Sequence, residues 1–392
     1  MRAISEIVGS RFYVPPSMLA KILREADPVA TVGADAVRFE GFSACCSAYI
    51  RLDLDNAALD VEERRKGTTN VDFGPELRGA LATVARNTKM AISIGADAVE
   101  IIKDGKAIVE KKVPLPLRWV KGFAEVQVAV AGMEPAFSLP KIGAQRFLRG
   151  LPRAKHDQMV WVSATGSMAR VTARESKGSV PLRGSHRLRV FESLAGLADG
   201  LDVHVNRSTG VTSWALNFGT QRLWLVLNAE PWRGFSGDGG LLSQMTCSDK
   251  SGVAAITAQL NWQDQIDAEA LALATDLAPK TVEVALAGLA AGGQLGFDLE
   301  RAAYFHRELP FDMSRVEGLN PRLKSAQALF DKGAVRWVGD EAEVVSSDVT
   351  HTVTQGETSW RCTCPWFAKN GDQRGPCKHM LAVEIDLDRQ ND

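Results

Sequence analysis

WRCTCPWFAKNGDQRGPCKHMLAV, residues 360–383, contains a Cys-x-Cys pair and a Cys-x-His pair with twelve residues between them. A closed structural Zn²⁺ site takes four sulfur or nitrogen ligands in a tetrahedron, and three thiolates with one imidazole are a common set. On an extended segment alternate side chains share a face, which brings the first two thiols together. Pro376 is placed to open a helix that turns the second pair toward the same point. The spacing predicts a zinc site with the ligands Cys362, Cys364, Cys377 and His379.

These residues resemble the SWIM zinc finger, whose pattern is Cys-x-Cys with a Pro after its second Cys, a variable gap, and Cys-x-His before a short helix. Strand-like runs precede the ligands at Ala334–Val338, Glu343–Ser346 and His351–Thr354, so the resemblance covers about residues 325–390. It implies a zinc-bound module that contacts DNA or protein and is rarely catalytic itself. It also implies partners, because bacterial SWIM proteins of similar size are often encoded beside MoxR-type AAA ATPases and von Willebrand A proteins.

The composition is that of a soluble globular protein of about two or three domains. The 392 residues are 45% hydrophobic and 24% charged, and no run approaches the roughly twenty apolar residues of a membrane span. Residues 1–7 lack the apolar core of a signal peptide. The cysteines outside the zinc pattern, Cys45, Cys46 and Cys247, show no disulfide framework, and zinc thiolates suit a reducing interior. We therefore expect a cytoplasmic location.

The net charge of −1 hides a strongly basic segment, residues 136–190. It holds eleven Lys and Arg against two acids, a local charge of +9, so the rest of the chain sums to −10. Arg outnumbers Lys eight to three, which favours bidentate contacts to phosphate or carboxylate. Such asymmetry suggests an anionic partner, most commonly nucleic acid. The alternative, which stays open, is a solvated face balanced by the acidic remainder.

Two patterns in this segment place cations on exposed faces. Lys141–Leu151 reads as a helix whose basic residues fall largely outside its apolar stripe. Ala169–Ser176 alternates like a strand with its arginines on one side. The predicted nucleic-acid-binding residues are Lys141, Arg146, Arg149, Arg153, Arg170, Arg174, Lys177, Arg183, Arg187 and Arg189.

Upstream of the zinc module the chain predicts a duplicated α+β body. One copy runs from Leu77 to Phe123 and the other from Leu188 to Phe235; each opens on an amphipathic helix, continues with three strands and ends on Trp followed by Gly-Phe. Helices on one face of a mostly antiparallel sheet would result. In outline this is similar to a sliding-clamp subunit, and no clamp function is carried over.

Between the body and the zinc module, two helices over Asp267–Leu277 and Pro279–Ala290 and a hairpin over Leu295–Leu309 have the outline of a winged helix. The second helix brings only Lys280 and Glu283, whereas a helix that reads the major groove needs Arg, Lys, Asn or Gln at base edges. The pattern favours a structural or protein-docking unit, followed by a linker from Pro310 to Pro321.

The sequence thus predicts a multidomain α+β protein. Its parts are an N-terminal arm at 1–35 with a helix from Pro16 to Ala26, the duplicated body at 36–240, the winged-helix-like segment at 250–315 and the zinc module at 325–392. The chain lacks phosphate-loop, dinucleotide, nucleophile-elbow and zinc-protease motifs, and four protein ligands leave zinc no open position. We expect a non-enzymatic binding protein, with nucleic acid or a protein partner as alternatives and an enzyme with an unrecognised site as the third.

Overall fold

The computed structural model describes residues 1–12, 27–70, 74–84, 88, 90–95, 98–113, 115–235, 250–309, 321–356 and 360–391. The predicted helix from Pro16 to Ala26 and the predicted linker up to residue 320 lie outside these residues. Helices and mainly antiparallel sheets make up the described chain, which confirms the α+β class. Among the described residues, no helix has the length and apolar character needed to cross a membrane.

The helices are α1 Arg2–Gly9, α2 Pro75–Ala82, α3 Leu117–Ala131, α4 Lys141–Arg149, α5 Lys250–Thr257, α6 Ala268–Thr275, α7 Pro279–Ala291, α8 Pro321–Asp331, α9 Pro365–Asn370 and α10 Lys378–Asn391. The strands are β1 Val29–Val32, β2 Ala36–Phe42, β3 Ala48–Asp55, β4 Gly67–Asn70, β5 Met90–Ile94, β6 Ala98–Lys103, β7 Lys106–Lys111, β8 Glu134–Pro140, β9 Met159–Thr165, β10 Met168–Thr172, β11 Val180–Arg183, β12 Gly200–Val205, β13 Thr212–Asn217, β14 Gln221–Leu227, β15 Leu295–Asp298, β16 Ala303–His306, β17 Val335–Val338, β18 Glu341–Ser346, β19 Val349–Gln355 and β20 Trp360–Cys362.

An eight-stranded sheet organises the body, in the order β4-β1-β2-β3-β14-β13-β12-β8. Each half consists of three successive antiparallel strands and one outer strand, and the halves meet where β3 pairs with β14. The chain order of the two halves differs, because the outer strand β4 follows β1, β2 and β3, whereas the outer strand β8 precedes β12, β13 and β14. The strands β5, β6 and β7 form a separate sheet packed on α2.

The two copies of the repeat predicted from sequence lie in different sheets of the structure. The first copy places its strands in the small β5–β7 sheet, whereas the strands of the second copy lie in the central sheet. Trp119 and Phe123 sit inside α3, but Trp232 and Phe235 lie beyond β14 in a turn. The three strands predicted in each copy are present and form an antiparallel meander, but the two meanders belong to different sheets. Short stretches of similar sequence do not indicate which sheet a strand joins.

Residues 1–35, predicted as an arm, are part of the body where they are described. The apolar residues of α1 recur at helical spacing, and Ile4, Ile7 and Val8 are buried against the central sheet. The strand β1 pairs with β2 on one side and with β4 on the other. An amphipathic helix needs an apolar surface to cover, and the central sheet supplies it.

One face of the central sheet is apolar and is covered by α1 and α4. Phe147 of α4 stacks on Trp214 of β13 with ring centroids 5.6 Å apart. Val8 of α1 lies so close to Gly41 of β2 that a Cβ there would approach its methyl group to 2.8 Å. This face is a conventional hydrophobic core.

Charged side chains lie buried on the opposite face of the sheet, where α3 and residues 250–309 cover it: Arg38, Glu40, Arg51 and Asp53. Arg307 pairs with Glu40, and Asp264 pairs with Arg38. Arg51 donates to the carbonyl oxygen of Phe297 at 2.7 Å. Since an unpaired buried charge is costly, these pairs fix how residues 250–309 dock on the body.

Residues 250–309 contain the helices and hairpin that the winged-helix outline predicts, with α5 as an additional helix before them. The helices α5, α6 and α7 share a core with the hairpin strands β15 and β16. Lys280 and Glu283 of α7 are exposed. The hairpin and the residues beside it dock within the chain, on the charged face of the central sheet.

The zinc module is a four-stranded antiparallel sheet, in the order β17-β18-β19-β20, with helices α8 and α10 packed on it. Its predicted strands are all present. Its inner face buries Ala342, Val344 and Val353 against Met380 and Val383 of α10. The core is small, and the three thiols of the predicted zinc site are part of it.

Candidate metal centre and basic surface

The first ligand pair lies where β20 ends and α9 begins. Pairing of Val353 with Cys362 fixes the end of β20 on the inner face of the sheet. Cys364 is the N-cap of α9, and its thiol accepts the N–H of Phe367 at 3.4 Å. Pro365 follows at the first helical position, where a missing N–H costs nothing.

The second pair lies at the start of α10. The thiol of Cys377 hydrogen-bonds with Cys362 and accepts the backbone N–H groups of His379 and Met380. These bonds, the one with Cys362 first, lower the pKa of Cys377 to about 4, although burial opposes the change. The pKa of Cys362 is raised, chiefly because it donates to Cys377. The hydrogen bonds of the site itself therefore favour the thiolate form of Cys377.

The four predicted ligands converge and are all buried. Their donor atoms lie within 4.8 Å of one another. Nδ1 of His379 is 3.7 Å from Sγ of Cys362 and 3.9 Å from Sγ of Cys377. Ligands around a tetrahedral zinc are about 3.5–3.8 Å apart, so the widest separation needs a contraction of about 1 Å. Three thiols and one imidazole at these distances fit zinc, and Nδ1 is the nitrogen of His379 that faces the thiols and would hold the metal.

Neighbouring side chains hold the centre in place. The ring of His351 lies against that of His379, with centroids 4.3 Å apart. Arg322 of α8 donates to the carbonyl oxygens of Arg374 and Pro376 at 2.7 and 2.9 Å and lies over the ring of Trp366. Sequence reasoning missed Arg322, because nothing in its local pattern links it to a loop fifty residues away. Arg322 thus supports the loop that leads into the second ligand pair.

The module's remaining solvent-facing sheet surface is neutral. Arg336 and Arg361 share the outer face of the sheet with Glu341 and Glu343. Arg336 lies directly opposite Glu343 across the β17–β18 pair. Two cations and two acids leave this face without a net attraction for phosphate.

Seven of the ten residues predicted to bind nucleic acid are exposed: Lys141, Arg146, Arg149, Arg153, Arg170, Arg174 and Lys177. No ion pair joins any of them to an acid among the described residues. They lie on α4, on the loops beside it and on the sheet of β9, β10 and β11, which we call the basic sheet. A Cβ on Gly143 of α4 would come within 2.0 Å of the carbonyl oxygen of Ser167, so helix and sheet are in direct contact.

The other three predicted residues are half-buried and hold the fold together. Arg187 donates to the carbonyl and hydroxyl oxygens of Ser47, and burial lowers its pKa to about 10. Arg189 pairs with Glu192 and donates to the carbonyl oxygen of Leu151. Arg183 donates to the carbonyl oxygen of Asp157 at 3.0 Å. Composition alone does not separate such cations from free ones.

Residues 351–388 match the family model described as SWIM zinc finger. No curated protein matches the chain. Three solved structures resemble its fold weakly. Proliferating cellular nuclear antigen (PCNA) from Entamoeba histolytica is 12% identical with a TM-score of 0.34, and the match covers 52% of this chain and 88% of that chain; a PCNA2–PCNA3 complex from Sulfolobus tokodaii is 10% identical with a TM-score of 0.39, and the match covers 58% of this chain and 95% of that chain. A. fulgidus PCNA bound to the C-terminal region of FEN-1 is 8% identical with a TM-score of 0.36, and the match covers 58% of this chain and 92% of that chain. These scores are too low to carry a functional conclusion.

Proposed function

We propose that this chain, whose residues 351–388 are a SWIM zinc finger, is a non-enzymatic nucleic-acid-binding protein, with DNA as the first candidate. Residues 136–190 would supply the main contacts and the zinc module an auxiliary one. The supporting observation is the set of seven exposed cations on α4, the basic sheet and their loops, which no acid neutralises among the described residues. Because thiol ligands suit a reducing compartment, we also propose a cytoplasmic location for the protein.

Phosphate contact gives this proposal a measurable signature. Each neutralised phosphate releases counterions, so log affinity falls with log salt by about 0.7–0.9 per contact. The variant Arg146→Ala, Arg149→Ala, Arg170→Ala, Arg174→Ala removes four exposed cations and is expected to flatten this slope by about three units while weakening binding to all sequences alike. Fluorescence anisotropy with labelled DNA and RNA at low and physiological salt measures both quantities.

A control variant tests whether position or total charge matters. Lys111, Lys112, Lys280 and Lys332 are exposed and lie outside residues 136–190. Replacing these four lysines by Ala changes the net charge by the same amount as the four-arginine variant. We expect it to leave the affinity for nucleic acid nearly unchanged. Equal losses in both variants would refute a defined surface, and no binding to DNA or RNA at low salt would refute the proposal.

A protein-interaction adaptor is the second candidate. Val338 and Val345 are 47% and 49% exposed on the neutral outer face of the zinc module, which suits contact with a protein better than with phosphate. The resemblance to bacterial SWIM proteins makes a MoxR-type ATPase and a von Willebrand A protein the partners to test. Purification from native cells with and without nuclease distinguishes the candidates, because only protein-mediated capture survives nuclease.

A further inference from the structure

The basic sheet has one buried face and one face open to solvent. Val162, Val180 and Leu182 point inward and are buried in the body's core. The outward residues of β9, β10 and β11 alternate with them and include no acid. Among them, Trp161 and Met168 bring a large half-buried aromatic ring and an exposed apolar side chain to this surface.

Strand register places arginines on both sides of Trp161. Arg170 lies opposite Ser163, and Arg183 lies opposite Met159, each two residues along β9 from the tryptophan and on the same face. Diagonal neighbours of this kind are about 7–8 Å apart, within reach of long side chains. The outward face therefore alternates cation, aromatic ring and cation along the strand direction.

A second aromatic ring extends this surface beyond β11. The guanidinium of Arg183 lies over the ring of Trp232 at 4.6 Å, and Trp232 is 48% exposed. Phe12 lies next to it, with ring centroids 6.3 Å apart. Trp232 therefore forms, with Phe12 and Arg183, a partly exposed aromatic and cationic extension of the basic sheet.

We propose that the outward face of the basic sheet, with Trp232 at its edge, binds single-stranded nucleic acid by stacking bases on Trp161 and Trp232 while Arg170, the exposed one of the two flanking arginines, holds the phosphates. This deepens the proposed function and rests on it. Flat aromatic rings beside cations complement unpaired bases and their backbone, since every base has a π face. A duplex buries those faces in its own stack and would meet only the cations.

Binding of an oligothymidylate of about 20 nucleotides and of a blunt duplex of equal length tests this choice. The full chain is expected to prefer the single strand. Trp232→Ala and Trp161→Leu are each expected to weaken single-strand binding by about 5- to 150-fold, with little effect on the duplex. Trp161→Phe, which keeps a ring, is expected to recover most of the loss. Leu197→Ala, at a residue 72% exposed outside the sheet, is the control.

The outcomes separate this inference from the proposed function. Binding of both nucleic acids with equal affinity, unchanged by the tryptophan substitutions but lost on removal of the arginines, would overturn the stacking site and leave nucleic-acid binding intact. No binding of either probe would overturn both. Because Trp161 is half-buried, its variants count only if thermal unfolding matches wild type; the exposed Trp232 gives the result independently.

Discussion

The zinc module and the basic sheet each leave one face of a small antiparallel sheet to solvent, but the two faces differ in charge. On the zinc module, Arg336 and Arg361 are balanced by Glu341 and Glu343. The outward face of the basic sheet carries arginines, a tryptophan and no acid. The recognisable motif thus lies in one place and the surface suited to phosphate in another. We therefore expect zinc in this chain to contribute to folding more than to recognition.

The two regions also differ in what stabilises them. The zinc module has a small core that includes its own ligands, whereas the basic sheet packs on the large core of the body. On the far side of the central sheet, buried ion pairs such as Arg307 with Glu40 add a polar core. Loss of the metal should therefore be local, and loss of a buried partner should affect the body.

The largest expected effect is loss of the zinc module on metal removal. Cys377→Ser, or a chelator, should release one zinc per chain and unfold residues from about 335 onward, because metal binding supplies on the order of 10 kcal/mol to so small a module. Hydrogen exchange with metal analysis should show protection lost there and kept in the central sheet. Cys45→Ser, at a thiol remote from the site, should retain the zinc.

This variant also sharpens the comparison of the two surfaces. If the basic sheet supplies the main contact, Cys377→Ser should keep most of the affinity for nucleic acid even with its module unfolded. If Cys377→Ser lost as much affinity as the four-arginine variant, the principal contact with nucleic acid would lie on the zinc module. If wild-type protein without zinc kept full protection from hydrogen exchange over residues 335–391, the prediction that this module needs metal to fold would be wrong.

A smaller but still large effect is expected in the body from Arg307→Ala. Both Arg307 and its partner Glu40 are fully buried, so the substitution leaves a buried carboxylate without its main cation, at a cost of about 3–5 kcal/mol. Glu40→Gln in the same chain should recover part of the loss, since it removes the orphaned charge. Denaturant unfolding of the body, with the exposed Lys280→Ala as control, measures these differences.

The contribution of Glu40 to the free energy of unfolding is expected to depend on pH with opposite sign in Arg307→Ala and in wild type. Burial favours the neutral acid, but Arg307, Tyr49 and Arg51 together hold the pKa of Glu40 below its ordinary value. In wild type the stabilisation from Glu40 is present above its unfolded pKa and is lost as pH falls through the folded one. Without Arg307 burial should raise the folded pKa, so acidification should stabilise the variant relative to neutral pH. A parallel pH dependence in the two proteins would contradict this account.

The zinc ligands were predictable because their pattern is local, and the structure brings all four together as expected. Most strand and helix bounds followed from periodicity for the same reason. The charged face of the central sheet was not predictable: Arg38 and Glu40 alternate with apolar residues, which is the usual signature of a solvent face. Their partners, Asp264 and Arg307, lie more than two hundred residues away. Sequence spacing carries no trace of contacts at that distance.

Free and structural arginines were also indistinguishable by sequence. Arg174 and Arg187 stand in the same basic run, yet one is exposed and the other donates into the backbone of the body. What separates them is a carbonyl oxygen of Ser47, contributed by the loop before β3. Composition located the basic segment, but only packing shows which of its cations face solvent.

The smallest expected effect comes from giving the zinc module the charge it lacks. Glu341→Lys with Glu343→Lys turns its outer sheet face from neutral to basic, and each lysine that reaches a phosphate should steepen the salt dependence by about 0.7–0.9. We expect a slope increase of at most two contacts and a modest gain in affinity. Glu62→Lys with Glu283→Lys, both exposed elsewhere, matches the change in net charge and should give no such steepening. An equal gain in the control would mean that total charge governs binding. A gain larger than the loss on removing Arg146, Arg149, Arg170 and Arg174 would mean that nucleic acid runs chiefly over the zinc module, and the contrast between the two sheets would fail.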